Sequence, residues 1–133
     1  MGVLSTSDPA GVVASYMASF DSGNPEAIAG HVSADFESVH TAALGHGFTG
    51  GDEYRRRLPN FLADMAGVHY DVRQTVVDGT TVVVAYEMTA RWKGEHPVTV
   101  PGTMWFDVVD GEITRRVDYW DSKVFTDQIP DAS

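Results

Sequence analysis

The stretch 69–121, HYDVRQTVVDGTTVVVAYEMTARWKGEHPVTVPGTMWFDVVDGEITRRVDYWD, decides the fold. It divides into runs rich in β-branched and aromatic residues, over 69–77, Thr80 to Trp92, Val98 to Val109 and Glu112 to Asp121. Two of the joints are Asp78-Gly79 and Asp110-Gly111. Asp-Gly between such runs is a hairpin signal, because a type I′ turn needs positive φ at both central residues. Consecutive hairpins predict an antiparallel meander. Pro101 removes a ladder donor, so it is expected at an edge or bulge of its strand.

Upstream the periodicity is helical. Asp8-Pro9 reads as a helix start, with the carboxylate placed to cap free backbone N–H groups and Pro suited to the first turn. Val12, Val13, Tyr16, Met17 and Phe20 follow at three- and four-residue spacings on one stripe, and Gly23 ends the run. Asn24-Pro25 repeats the cap-plus-proline start for a short second helix carrying Ile28 and stopping near Gly30-His31. Asp35 to His40 alternates as a strand, with Phe36, Ser38 and His40 on one face. The glycine-rich segment 45–51 lacks the Lys-Ser/Thr ending of a phosphate-binding loop and reads as a turn. From Asp52 to Met65 the positions Tyr54, Leu58, Phe61, Leu62 and Met65 form an amphipathic helix, in which Pro59 is expected to make a kink or a restart. The order is helices, one strand, a helix, then the meander. That is an α+β architecture: a curved antiparallel sheet with helices on its concave face.

Composition narrows the function. The 133 residues suit one domain, 1–133, with room for one small-ligand cavity and none for a separate cofactor domain. A net charge of −10 repels phosphate backbones, and Arg55-Arg56-Arg57, flanked by Asp52 and Glu53, reads as a solvated helix face, so no nucleic acid is expected. No apolar run is long enough for a membrane span, and MGVLSTSDPAG has neither the basic segment nor the apolar core of a secretory signal. A cytoplasmic protein is expected. There is no cysteine, and His31, His40, His46, His69 and His96 are scattered without the close spacing of a zinc site, so no metal is assigned.

The element order, with Val12-Val13-x-x-Tyr16 in the first helix, the Asn24-Pro25 start, Asp35-Phe36 opening the first strand, and Gly111-Glu112-Ile113 leading into Val117-Asp118-Tyr119-Trp120-Asp121, resembles the NTF2-like superfamily and its SnoaL-like branch over nearly the whole chain. The resemblance implies a cystatin-like cone around a pocket, a homodimer through the outer face of the sheet, and no cofactor. Its members include polyketide cyclases, ketosteroid isomerase, limonene-1,2-epoxide hydrolase and non-catalytic binding domains, so fold alone does not assign function. Carried over residue by residue, Asp118 falls where the epoxide hydrolase has its water-activating base, and the cyclases' acid/base Asp falls on the same strand face. His40 falls where the isomerase has its proton-shuttling Asp. Tyr16 matches the isomerase's oxyanion-hole Tyr. The chain departs at Thr103 and Met104, where the isomerase has a second acid, and near Tyr86-Glu87-Met88, where the hydrolase has an Arg-x-Asp pair for which Glu87 or Arg91 would have to substitute.

The catalytic candidates are therefore Asp118, His40 and Tyr16, with Phe20, Phe36, Tyr54, Phe61, Met65, Tyr86, Met88, Met104 and Trp120 as candidate walls of an apolar pocket. An Asp facing such a pocket loses hydration, which raises its pKa and strengthens it as a base, while a nearby imidazole can orient it or shuttle a proton. The expected function is cofactor-independent acid/base chemistry on a small hydrophobic polyketide- or terpenoid-like molecule, by cyclisation, isomerisation or epoxide opening. The alternative is a non-catalytic domain that holds a small ligand or a protein, with Asp118 paired to Arg115, Arg116 or Arg91, His40 satisfying a core hydrogen bond, and Tyr16 serving as core.

Overall fold

Pro9 opens α1 (Pro9–Ser19), whose Val12, Val13, Tyr16 and Met17 are buried at the spacing that one helical stripe requires. Asp8 has the extended backbone of a cap, but its carboxylate makes no capping hydrogen bond; the fixed φ of Pro9 starts the helix instead. The computed structural model describes residues 8–130, so the reading of the segment before Asp8 lies outside the described residues. A 3₁₀ turn, Phe20–Ser22, ends at Gly23 with φ +63°. Asn24 accepts the Glu26 N–H at 3.0 Å and begins α2 (Pro25–Ala29).

β1 (Val32–His40) begins earlier than the alternation from Asp35 suggests, because Val32 and Ser33 are already buried against the helices. The glycine-rich segment, expected to be a turn, contains β2 (Phe48–Thr49), which pairs antiparallel with β1. Two residues carry no periodicity to read. α3 (Gly51–Asp64) runs through Pro59 as one helix, without a restart. Met65, expected at the end of that helix, opens the meander of β3 (Met65–Asp78), β4 (Thr81–Trp92), β5 (His96–Val109) and β6 (Glu112–Trp120). Asp110 and Gly111 both have positive φ, 53° and 78°, as a type I′ turn demands. The earlier hairpin differs: Asp78 stays in the ladder opposite Thr81, and within that loop positive φ falls on Gly79 alone, the sign pattern of a type II′ turn. Lys93-Gly94, with φ of 53° and 75°, turns the third hairpin.

The strand order is β2-β1-β6-β5-β4-β3, and the sheet is curved and unclosed. It is mixed rather than wholly antiparallel, since β6 returns beside β1 and runs parallel to it. The last strand thereby occupies the middle of the sheet. Pro101 lies just past the final β5–β6 pair, Gly102 opposite Trp120, so on that side it interrupts no ladder. A C-terminal helix, α4 (Ser122–Thr126), follows where the sequence reading stopped at a strand; Asp121 caps it by accepting the Lys123 N–H at 2.9 Å. The core lies between helices and concave sheet face, centred on Tyr16, Met17, Ile28, Phe36, Leu58 and Phe106. Full burial of each large apolar side chain contributes about 1.5–3 kcal/mol relative to exposure.

Gly102 is needed for close approach. A Cβ there would overlap the Tyr86 hydroxyl, stand 2.5 Å from the Tyr86 ring carbon that bears it, and lie 2.9 Å from the Tyr119 carbonyl. Gly102→Ala is expected to lower stability by about 1–3 kcal/mol through overpacking, measured by urea denaturation.

Candidate active site

β6 builds the site by alternation. Arg116, Asp118 and Trp120 point into one cavity of about 210 Å³ between the sheet and the helices. The parallel register sets Ser38 opposite Arg116 and His40 opposite Asp118, and on the other side β5 sets Met104 opposite Asp118. Of the wall positions expected from sequence, Phe20, Tyr54, Phe61, Met65, Tyr86, Met88, Met104 and Trp120 line this cavity. Tyr16 and Phe36 do not. Both are fully buried behind the wall, where the α1 stripe and the inward face of β1 meet, and Phe36 lies under the Arg116 guanidinium at 5.7 Å.

The Asp118 carboxyl is 5% exposed and accepts one hydrogen bond, from the Tyr86 hydroxyl to Oδ1 at 2.7 Å. Tyr86 reaches it across Gly102, its cross-strand partner. Burial pushes the Asp118 pKa up to about 6, against the pull of Arg116 and of the Tyr86 hydrogen bond. Burial also raises the phenols of Tyr70 and Tyr86 far above their ordinary range, with the Asp118 charge adding to it, so both remain protonated.

His40 moves in the opposite direction for the same reason. Burial, then the Arg116 charge, push its pKa down to about 4. Its Nδ1 accepts from the Trp120 indole N–H at 3.3 Å, and Arg116 Nη2 stands 3.4 Å from its Nε2. A protonated ring would meet two donors with no acceptor, so the surroundings favour the neutral form. The 3.7 Å between His40 Nδ1 and Asp118 Oδ2 is accordingly neither an ion pair at neutral pH nor a hydrogen bond.

Arg116 was expected only as a neutralising partner for Asp118. It is instead a second pole of the cavity. Its Nη1 donates to the Tyr16 hydroxyl and, at 3.2 Å, to the Tyr54 hydroxyl; its Nη2 donates to Ser38 Oγ at 2.7 Å. The two phenols bond each other at 2.5 Å. Tyr16 therefore acts on the cavity only through Arg116 and Tyr54. Burial opposes the Arg116 charge, and the facing Tyr16 and Tyr54 oxygens together with Asp118 more than offset it, so the guanidinium stays protonated. Arg115, by contrast, points outward to Glu37. Sequence reasoning also missed Tyr70, His46, Phe48, Arg57 and Phe125 on the wall. The alternation of Arg116 with Asp118 was a signal available for Arg116, whereas Phe125 belongs to a helix that was not foreseen. Among the described residues, no three His, Cys, Asp or Glu side chains gather into a metal-binding group.

A curved sheet wrapped on helices around a pocket with one buried carboxylate is the NTF2-like architecture, and solved structures of that kind superpose on it. A hypothetical protein with a ketosteroid isomerase-like fold from Catenulispora acidiphila DSM 44928, in complex with trimethylamine, matches at 24% identity and a TM-score of 0.80, over 88% of this chain and 90% of that one. A protein provisionally described as a SnoaL-like polyketide cyclase, from Shewanella denitrificans OS-217, matches at 14% identity and 0.80, over 90% and 95%. An epoxide hydrolase of the limonene type from Mycobacterium tuberculosis matches at 18% and 0.74, over 88% and 86%. These likenesses carry the fold. A search of curated protein sequences found no match. The family model described as SnoaL-like domain matches residues 13–116, and the chain belongs to that family.

The Asp118 shift has a consequence for stability. A carboxyl whose folded pKa, about 6, exceeds its ordinary value of 3.8 binds more protons in the folded state between those values, so stability falls as pH rises through that window. Asp118→Asn keeps an acceptor for Tyr86 and removes the charge. It is expected to raise stability at pH 8 by about 2–3 kcal/mol and to have little effect near pH 3, as measured by denaturation at the two pH values.

Proposed function

We propose that this protein is a cofactor-independent acid/base enzyme acting on a small hydrophobic molecule of polyketide or terpenoid type, with Asp118 as the base. The observation that carries this reading is the Asp118 carboxyl, buried on the wall of an apolar cavity with a single hydrogen-bond donor and a pKa of about 6. Such a group is mostly ionised at neutral pH yet poorly solvated, a combination suited to proton abstraction. A purely structural carboxylate would be tied to a cation. Among the described residues no Arg or Lys stands within ion-pairing distance of Asp118, and the Tyr86 bond leaves Oδ2 without a donor. His40 stands beside the carboxylate without bonding to it and, with its pKa pushed down to about 4, is neutral at neutral pH. Cyclisation, isomerisation and epoxide opening all begin with such a base.

The test is a turnover screen with a β-dicarbonyl, an aryl ketone of polyketide type and a terpene epoxide. For any substrate turned over, kcat/KM is expected to rise about tenfold per pH unit below 6 and to level off above it. Asp118→Asn should lower it by about 10²- to 10⁴-fold. Turnover that survives Asp118→Asn would remove Asp118 from the reaction.

A homodimer through the outer sheet face belongs to the same reading. The registers align Val76, Val83, Trp105 and Val117 in one row across the strands, and Val76, Trp105 and Tyr119 are 54%, 49% and 47% exposed. The exposed members of this row support association through that face. Light scattering on the eluted protein is expected to give twice the chain mass, and Trp105→Lys to give the single-chain mass.

A further inference from the structure

We propose that Arg116 is the anion-binding group of this cavity, seating a substrate carbonyl oxygen that becomes an oxyanion when Asp118 takes a proton from the adjacent carbon. The inference rests on Asp118 as the base and adds what lies opposite it.

Arg116 is 5% exposed and lines the cavity, yet its hydrogen-bond acceptors, the hydroxyls of Tyr16, Tyr54 and Ser38, carry no counter-charge. Its Nε is buried and has no partner. A buried charge costs several kcal/mol unless a counter-charge offsets it, and a single guanidinium N–H makes a charge-assisted hydrogen bond to an oxyanion. The chain as a whole carries a net charge of −10, whereas on the cavity wall two arginines, Arg57 and Arg116, face one carboxylate, Asp118. Arg57 already donates to Glu53 at 2.8 Å. That leaves Arg116 as the cation available to a ligand.

The spacing of the two poles fits a proton transfer. Arg116 and Asp118 stand two residues apart on one face of β6, about 6–7 Å along the strand. Before reaction the negative charge is on Asp118. The C–H bond then breaks, its proton forms an O–H bond with the carboxylate, and its electron pair becomes the carbon–carbon π bond as the carbonyl π pair moves onto oxygen. The negative charge has moved from Asp118 to that oxygen, and Arg116 keeps a counter-ion throughout. The substrate class is an apolar compound with an enolisable carbonyl. Epoxide opening fits less well: the departing oxygen needs a proton donor, and Tyr70 and Tyr86 hold theirs more tightly than free phenols do.

The test uses two probes with the same apolar body, 2-naphthoate and 2-naphthylmethanol, titrated calorimetrically into the full chain at pH 5 and pH 8. The groups facing the two poles are Tyr16 from α1, Tyr54 and Arg57 from α3, His40 from β1, His46 from the segment before β2, Tyr70 from β3 and Tyr86 from β4. Asp118, with its pKa pushed up to about 6, changes charge between those pH values, while His40, at about 4, does not. Naphthoate is expected to bind about 10- to 100-fold more tightly than the alcohol at pH 5, where Asp118 is protonated, and to lose most of that preference at pH 8. Asp118→Asn should keep the preference at both pH values; Arg116→Met should abolish it and Arg116→Lys retain part. If Arg116→Met does not fold, His46→Gln decides: it is expected to keep the naphthoate preference of the wild-type protein at pH 5, and loss of the preference in that variant overturns the proposal. Equal affinity for the two probes at pH 5, or failure of naphthoate to bind, overturns the proposal. Loss of turnover in Asp118→Asn without any naphthoate preference would leave Asp118 as the base and remove Arg116 alone, whereas a preference with turnover intact in Asp118→Asn would do the reverse.

Discussion

A guanidinium is among the hardest groups to bury, and this fold places one at its centre. Arg116 sits in the middle of the sheet because β6 returns between β1 and β5, and it meets hydroxyls from α1, α3 and β1 at once. Each neutral donor–acceptor contact to a charged group is worth about 1.5–3 kcal/mol. Two such contacts, to Tyr16 and Tyr54, fasten the helical layer to the sheet, and the third, to Ser38, joins β6 to β1. The Tyr16–Tyr54 bond ties the two helices to each other over the same cation.

The chemistry of the pocket follows from that placement. One low-dielectric environment moves Asp118 up to about 6 and His40 down to about 4, since burial penalises whichever form carries charge. Arg116 works with burial at His40 and against it at Asp118, which spreads the roles: a base that is mostly ionised at neutral pH, beside an imidazole that stays neutral. Tyr86 completes the arrangement only because Gly102 has no side chain, so that a glycine in β5 serves the carboxylate of β6. Stability is spent at Asp118, and the dense aromatic wall of Phe20, Tyr70 and Tyr86, with ring centroids 4.9 Å and 5.1 Å apart, lies around it.

Much of this was legible in the residues. Helical spacing located α1 and α3, the Asp-Gly pairs located two hairpins, and alternation along β1 and β6 put His40 and Asp118 on inward faces, because these are local geometric rules with short periods. The errors have equally local causes. β2 is too short to show a period, α4 begins with one capping Asp that reads equally well as the end of a strand, and Asp78 remained in its ladder because Gly79 alone could supply the turn.

What the sequence determined by itself was the set of elements, their order and the face each residue presents. The tertiary structure decided which faces meet. Neighbours along the chain pair antiparallel by default, so nothing local announced that β6 would lie parallel to β1, yet that pairing sets Ser38 beside Arg116 and His40 beside Asp118. Tyr16 was a candidate oxyanion donor, or else core; only the crossing of α1 over α3 puts Tyr54 and Arg116 between it and the cavity. Arg116 likewise looked like a partner for Asp118 and became a separate pole, since its Nη groups are taken by hydroxyls that α1, α3 and β1 bring to it.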